Sequence, residues 1–470
     1  MNVRRPLKGR LPHHYGWPMR LCLCIFVAFL LAAQANLRGR AYTLQRSEAN
    51  RAVRWNKKSI RFALSDSFFV APNVRADRAE IVRAVRRALA RWSAETGLHL
   101  GLALSSTQSV SSSASSGDGI NLITVADAPE NLALFADEGD LAGRTRVFFN
   151  PRSGAISEAD IALNPNLLFS TDGTPGTFDL EATLTHELGH ALGLAHSAVL
   201  GSIMRPRLRM NDARESVVDL RQLAEDDRAA ARALYRPNAE WGSLMGKLLF
   251  ADGGPIFGAH IFIEEAATGR VIAGGITRED GSYRIDGLPA GSYNLRIEPM
   301  DGPIELGEIA RSSYAPNVFR AVASERPIEV AFNSATEFNA KLENVAPKLN
   351  PRLLGLTAHL SAVPLSLVPG RTYTVLIGGE GLDEVVAASS DSPYVAVEEV
   401  RSQGEVAGLS LLSVSVRVDA AAPVGEYSLR LQTMEGESAW IAGALLVHRP
   451  APIALGAAEI PDATDPIWLD

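Results

Sequence analysis

Residues 185–197 read THELGHALGLAHS, and the three histidines of this stretch recur at the spacing of a metal site. An α-helix turns once in about 3.6 residues, so His186 and His190 project from the same helix face. Each imidazole can offer a neutral ring nitrogen to Zn²⁺. Gly193 is expected to leave the helix with a positive φ angle, and that turn brings His196 round as the third ligand.

Three protein ligands leave a fourth coordination position for water, which is typical of catalytic zinc rather than structural zinc. Glu187 follows the first ligand and is placed to lie beside the metal without binding it. The alternative is a surface helix with ordinary histidines. Three of the nine histidines of the chain fall within eleven residues, however, and a solvated helix face does not require that clustering. The sequence therefore predicts a single catalytic zinc ion.

The long motif is followed by residues 202–206 (SIMRP), and together they resemble the metzincin metallopeptidases, and among them the matrixins. Met204 comes eight residues after His196, and Ser197 directly follows the third histidine, as in matrixins. In that family the methionine forms a hydrophobic floor under the zinc. The resemblance covers about residues 55–236 and implies a five-stranded twisted sheet, a long back helix and an active-site helix below a cleft.

The resemblance implies an endopeptidase that acts on protein or peptide substrates through a zinc-activated water, with Glu187 as the general base. An extended substrate is expected to pair with an edge strand at Val147, Phe148 and Phe149. The alternative is a matrix- or surface-binding adhesion protein whose peptidase domain is inactive. The presence of Glu187 favours the enzyme, because an inactive descendant often loses the base while it keeps the fold.

The sequence departs from the matrixin pattern in three places, and it also contains candidate ligands for calcium. Arg205 stands where tyrosine is common, so the wall of the specificity pocket is expected to differ. No cysteine switch precedes the domain, and residues 156–164 lack the histidines of a second zinc site. By resemblance, Asp226 and Asp227 tie the last helix to the turn that carries Met204. Four acids are candidate Ca²⁺ ligands, although such scattered acids are more often solvated: Asp137, Glu138, Asp140 and Asp160.

The amino terminus resembles an export signal. Residues 21–33 (LCLCIFVAFLLAA) form a short apolar core behind a basic lead, and residues 33–35 offer a cleavage site. We therefore expect a secreted, extracellular protein, with a periplasmic or surface-associated location or an uncleaved anchor as alternatives. The mature chain has no apolar stretch of the roughly 18–20 residues that span a bilayer. Cys22 and Cys24 leave with the signal, and the net charge of −7 argues against a nucleic-acid partner.

Beyond residue 241 the chain shows short strands and glycine turns. Residues 246–298, with the run GLPAGSY at 287–293, resemble carboxypeptidase-regulatory-like (transthyretin-like) domains, and residues 365–448 resemble an Ig-like domain. Neither contains a cluster of catalytic residue types, so docking to a matrix or cell surface is the expected role. For the same reason, a chain ending near Asn238 is predicted to remain active on short peptides.

The predicted fold class is multidomain, with an N-terminal α/β zinc-peptidase domain of the metzincin type followed by two all-β sandwich modules. The predicted segments are a signal peptide at 1–35, a leader at 36–54, the peptidase domain at 55–240, sandwiches at 246–345 and 352–449, and a tail at 450–470. Within the peptidase domain, the sequence predicts a helix at 77–95, with Asp77 and Glu80 as a capping box and Gly97 at its end. It also predicts a strand at 144–149 and a helix at 216–235.

Overall fold

The computed structural model describes residues 44–114, 116–137, 139–211, 218–236, 240–309, 318–356 and 359–449. The predicted signal peptide, the first part of the predicted leader and the predicted tail lie outside these residues. Within the described ranges, no helix has the length and apolar character needed to cross a membrane.

The first region, up to residue 236, mixes strands and helices. Its strands are β1 Ser59–Ser65, β2 Val74–Arg75, β3 His99–Ser105, β4 Asn121–Thr124, β5 Gly143–Phe149, β6 Ile156–Leu163, β7 Phe169–Ser170 and β8 Phe178–Asp179. Its α-helices are α1 Arg78–Thr96, α2 Pro129–Leu132, α3 Leu180–Ala191 and α4 Glu225–Tyr235. This confirms the predicted α/β character of the amino-terminal region.

Five strands form one sheet in the order β3-β1-β4-β6-β5. The first four run parallel, and β5 pairs antiparallel with β6, so that Thr145 lies opposite Ile161. The five-stranded sheet implied by the family resemblance is thus present. Because β5 is the last strand of the sheet, one of its edges is left without a strand partner in the described sheet.

The back helix α1 begins and ends where the sequence predicts. Asp77 and Glu80 form a reciprocal capping box, and Gly97 ends the helix with a φ of 70°. Its apolar stripe is buried, and the indole of Trp92 donates to the carbonyl of Thr185 in α3 at 2.7 Å. This contact positions the metal-motif helix against the back helix.

Helix α4 is shorter than predicted. The sequence favoured a helix over 216–235, but α4 begins at Glu225, and a 3₁₀ turn occupies Val218–Arg221. The guanidinium of Arg221 donates to both carboxylate oxygens of Asp179, the residue that caps α3. This ion pair holds the segment against α3, where the chain forms a 3₁₀ turn and not a continuation of α4.

Part of the predicted leader is packed structure. Leu44 forms a β-bridge with Leu194, and Val53 is fully buried. The indole of Trp55 donates to the carbonyl of Ala191 at 2.9 Å, at the end of α3. Residues 44–54 therefore belong to the folded unit, because their apolar side chains and main chain are used by the loop that follows α3.

In the second region, 242–342, the described residues form strands and one helical turn. They are β9 Gly242–Phe250, β10 His260–Glu265, β11 Val271–Ile276, β12 Ser282–Leu288, β13 Gly291–Glu298, α5 Leu306–Ile309, β14 Val322–Ala323, β15 Ile328–Val330, β16 Ala335–Glu337 and β17 Ala340–Leu342. They form sheets ordered β11-β10-β13-β14, with β15 also on β13, and β12-β9-β16, with β17 also on β9. The turn α5 was not predicted, since its four residues are too few for a periodic pattern.

In the third region, 350–447, the described residues form strands and one 3₁₀ turn. The strands are β18 Asn350–Gly355, β19 Leu365–Leu367, β20 Thr372–Glu380, β21 Val385–Ser389, β22 Val395–Val406, β23 Leu409–Val418, β24 Gly425–Thr433 and β25 Ser438–Val447. Its sheets are ordered β18-β20-β23-β22 and β19-β25-β24-β21. The β-rich character predicted for the carboxyl-terminal half is confirmed, while the transthyretin-like and Ig-like identities remain predictions.

The three regions share buried surfaces. One apolar core joins Leu234 of α4 to Leu288 of β12. The guanidinium of Arg232 donates to the carbonyl of Gly287, and Leu200 donates its N–H to the carbonyl of Ala442 at 2.9 Å. The predicted boundary at residue 240 therefore runs through a continuous core.

Glu426 of β24 places a buried carboxyl at this junction, against Gly201 of the first region. Burial, reinforced by the charge of Asp227, raises the pKa of Glu426 to about 8. The folded state thus binds a proton that the unfolded chain releases near pH 4.5. This contribution to stability is present below that pH and is lost as the pH rises through about 8.

We expect the stability of Glu426→Gln relative to the wild type to be greater at pH 9 than at pH 5 by at least ~1 kcal/mol, because the amide needs no proton to stay neutral. Thermal unfolding at pH 5, 7 and 9 measures this difference. Glu405→Gln, on an exposed hairpin, is the matched control and should leave the unfolding temperature unchanged at all three pH values. Equal pH dependence of the two variants would show that Glu426 is ionised in the folded state.

Candidate metal centre

The three predicted histidines lie together. Their ring centroids are 4.8 Å apart for His186 and His190, 5.4 Å for His186 and His196, and 4.9 Å for His190 and His196. One ring nitrogen of each lies within 4.8 Å of the other two. Across the described residues, this is the one cluster of three or more histidine, cysteine or acidic side chains with that geometry.

Each ring uses Nδ1 for a main-chain carbonyl, which leaves Nε2 for the site. The acceptors are Ile203 at 2.7 Å for His186, Leu194 at 2.9 Å for His190 and Glu308 at 3.0 Å for His196. A carbonyl acceptor requires the proton on Nδ1, so it fixes the tautomer whose Nε2 lone pair binds metal.

The donor set fits a metal ion. The Nε2 atoms of His186 and His190 lie 3.1 Å apart, and in the assigned tautomer neither carries a proton. Two lone pairs at this distance repel unless a cation lies between them. Burial, together with the neighbouring rings, lowers the pKa of His190 to about 3 and holds the pKa of His186 well below its ordinary value. Neutral imidazoles are the form that binds zinc.

Gly193 makes the turn between the second and third histidines, with a φ of 94°. A Cβ at this position would collide with the carbonyl oxygen of Val53. Gln45 donates its N–H to the carbonyl of Gly193 at 3.0 Å and its side-chain amide to that of Leu194 at 3.2 Å. The position requires glycine for two reasons, a left-handed conformation and a close approach of the amino-terminal segment.

The carboxylate of Glu187 is buried beside the histidines. Thr145 of β5 donates its hydroxyl to Oε2 of Glu187 at 2.6 Å, and a Cβ on Gly143 would lie 2.7 Å from Oε1. Burial raises the pKa of Glu187 to about 7, while Thr145 and Arg144 oppose the rise. A carboxyl with a pKa near neutrality can both accept and return a proton.

Met204 lies beneath α3. It is buried, and a Cβ on Gly189 would collide with its sulfur. The turn around it is held by Asp227, which accepts from the hydroxyl of Ser202 and from the N–H groups of Ile203 (2.9 Å) and Met204 (3.3 Å). The tie between α4 and this turn, implied by the family resemblance, is present.

Asp226, which precedes Asp227 in α4, connects this helix to two further segments. It accepts from the hydroxyl of Ser197 at 2.6 Å and from the N–H of Gly274, in β11 of the second region, at 2.8 Å. Burial, reinforced by the charge of Asp227, raises the pKa of Asp226 to about 7.

Arg205 points inward. Its guanidinium donates to the carbonyls of Ser202 at 3.0 Å and Arg207 at 3.1 Å, and the residue is almost fully buried. Burial lowers its pKa to about 10, against the opposing effect of Asp227. The side chain therefore braces the turn from within and does not present its charge to solvent.

Val147, Phe148 and Phe149 lie on β5 and are partly exposed. The same strand supplies Thr145 to Glu187, so β5 borders the metal centre. The role of these three residues in substrate binding stays a prediction.

The predicted calcium ligands are not brought together within the described residues. Both carboxylate oxygens of Asp160 accept main-chain hydrogen bonds, from Ser111 at 2.8 Å and Leu122 at 3.0 Å. Asp137 and Asp140 lie in a separate exposed loop, and Glu138 lies outside the described residues. Calcium binding stays an untested prediction.

Two contacts of the centre were missed by sequence reasoning. Thr145 lies on a strand that was predicted, but threonine is common in strands and carries no signal of its own. Glu308 contributes a main-chain carbonyl, which every residue type possesses, so no sequence pattern identifies it.

Residues 54–236 match the family model Peptidase_M10, described as Matrixin. Metalloendoproteinase 1-MMP of Arabidopsis thaliana is 47% identical over 60 residues, 13% of this chain and 15% of that protein. The hatching enzyme of Paracentrotus lividus is 31% identical over 102 residues, 21% of this chain and 16% of that protein. The chain thus spans only about one sixth of the length of these curated relatives.

The crystal structure of BcpA, the major pilin subunit of Bacillus cereus, is 11% identical and covers 43% of this chain and 66% of that one, with a TM-score of 0.17. This similarity is too slight to identify the fold of the β regions. The family match, in contrast, covers the five-stranded sheet, the helices α1, α3 and α4, and all three histidines. Residues 54–236 form a matrixin-like catalytic domain within a longer chain.

Proposed function

We propose that the chain is a secreted zinc-dependent endopeptidase that hydrolyses peptide bonds in extracellular proteins. The observation that carries the proposal is the convergence of three imidazoles, each of which directs Nδ1 at a main-chain carbonyl, beside the buried carboxylate of Glu187. Export is supported by the apolar run 21–33 behind its basic lead.

His186, His190 and His196 would hold the zinc. When bound, zinc supplies Lewis acidity, which makes a water nucleophilic near neutral pH and polarises the scissile carbonyl. Glu187 takes up a proton on its carboxylate as the water attacks and later returns it to the leaving amine. The hydroxyl of Thr145 orients the carboxylate of Glu187 during both transfers.

The substrate is proposed to lie extended along β5. The unpaired edge of this strand can add a substrate strand through main-chain hydrogen bonds, which is a recurring mode of peptide recognition. Such pairing is largely independent of side chains. We therefore expect specificity to come from pockets beside Val147, Phe148 and Phe149 and not from the strand itself.

The test is hydrolysis of an unfolded protein by the purified full chain, with zinc measured by elemental analysis. We expect about one zinc per chain, turnover that a chelator abolishes, and recovery when Zn²⁺ is added back. The alternative function, an adhesion protein with an inactive catalytic domain, predicts zinc binding without turnover. A cleavage-site profile from the same reaction would define the substrate preference.

A further inference from the structure

We propose that the turn at residues 301–309 of the second region is a working part of the metal centre, because the main-chain carbonyl of Glu308 orients the imidazole of His196. The inference rests on the proposed zinc site and extends it beyond the matrixin-like domain. Glu308 is thus a positioning residue, since it acts on the metal through His196.

The three ligands differ in where their supporting carbonyls come from. Those of His186 and His190 belong to Ile203 and Leu194, which are part of the catalytic domain. The carbonyl for His196 lies 112 residues further along the chain, at 3.0 Å from Nδ1. His196 also lies beyond the end of α3, so the helix does not fix its side chain as it fixes the other two.

The turn is anchored on both sides. Leu306 is buried against Gly258, where a Cβ would collide with the leucine side chain. The carboxylate of Glu308 forms an ion pair with Arg207 of the catalytic domain at 2.7 Å and accepts the N–H of Glu305 at 2.9 Å. The carbonyl of Glu308 is therefore held in place by contacts within the protein.

The physical consequence concerns the tautomer and orientation of one ligand. Without the acceptor, the imidazole of His196 can place its proton on Nε2 or rotate away, and each change removes a zinc ligand. Loss of such an outer contact typically weakens metal binding by about 10–100-fold. The second region thus contributes to zinc affinity without supplying a ligand.

The experiment compares two buried leucines of the second region in the full-length chain. Leu306→Ala loosens the turn, and Leu248→Ala is the matched truncation of a buried leucine in β9, a strand that does not carry the turn. We expect both to lower the unfolding temperature of the metal-free protein, while only Leu306→Ala raises the zinc dissociation constant, by about tenfold or more. It should also alter the visible absorption spectrum of the Co²⁺-substituted protein. Leu306→Met, which conserves side-chain volume, should keep the zinc dissociation constant and the Co²⁺ spectrum of the wild type.

Two outcomes separate this inference from the proposed function. A wild-type chain that binds no zinc would overturn the metal site itself. A wild-type chain that binds zinc, with equal affinity in Leu306→Ala and Leu248→Ala, would overturn the role of the turn. If Leu306→Ala does not fold, Arg207→Gln decides. Loss of this exposed ion pair should raise the zinc dissociation constant about threefold, and an unchanged constant would also overturn the role of the turn.

Discussion

His190→Ala is expected to lose zinc and peptide turnover together. The variant removes one of the three ring nitrogens that converge on the centre, and two imidazoles do not complete a catalytic zinc site. Glu187→Ala, on the same helix, is expected to keep about one zinc per chain, because the carboxylate contacts Thr145 and is not a ligand in the proposed site. Turnover should still fall by at least about 10²-fold, the low end for loss of a general base.

The measurement is zinc by elemental analysis beside peptide turnover for each purified variant. Glu187→Gln is the matched control for size, and it should behave like Glu187→Ala because an amide does not accept the proton. Wild-type turnover in either Glu187 variant would contradict the general-base role. Loss of zinc from Glu187→Ala would instead indicate that Glu187 binds the zinc itself or is the main support of a histidine that binds it.

A chain ending at Asn238 is expected to lose most of its activity even on short peptides, contrary to the expectation from sequence. Such a chain lacks the N–H of Gly274, which donates a hydrogen bond to Asp226. It also lacks the carbonyl of Glu308, which accepts a hydrogen bond from Nδ1 of His196. It also exposes the face of α4 that packs on the second region, including Leu234. We expect a lower unfolding temperature and zinc affinity at least about tenfold weaker.

The comparison is with a chain ending at Arg449, which keeps all described regions. Adding a separately purified chain of residues 240–449 to the truncated form should recover part of the activity, since the missing contacts are non-covalent. A truncated chain that folds, binds zinc with full affinity and cleaves short peptides at the wild-type rate would show that the β regions are dispensable for catalysis.

The catalytic domain was predictable because its determinants are local in sequence. The spacing of His186 and His190 follows from helix geometry, and the capping box at Asp77 and Glu80 marks the start of α1 within four residues. The positive φ angle of Gly193 follows from the need to turn towards His196. In each case a side chain or its absence carries the information.

The remainder depends on contacts between distant segments. The carbonyl of Glu308 reaches His196 across 112 residues, and main-chain groups have no sequence signature. Residues 44–54 were predicted to be a leader because their composition is polar and rich in arginine. Their packing depends on the few apolar side chains among them, Leu44 and Val53, and on main-chain pairing with the loop after α3.

The pairing of Leu200 with Ala442 has a consequence for biosynthesis. The two residues meet at a junction that also needs the strands between them, so the surroundings of the metal helix are completed only after Ala442 has been made. At roughly 5–20 residues per second, translation reaches Ala442 about 10–50 s after Leu200. We therefore expect the nascent chain to have little proteolytic capacity, which delays the onset of activity until synthesis is nearly finished.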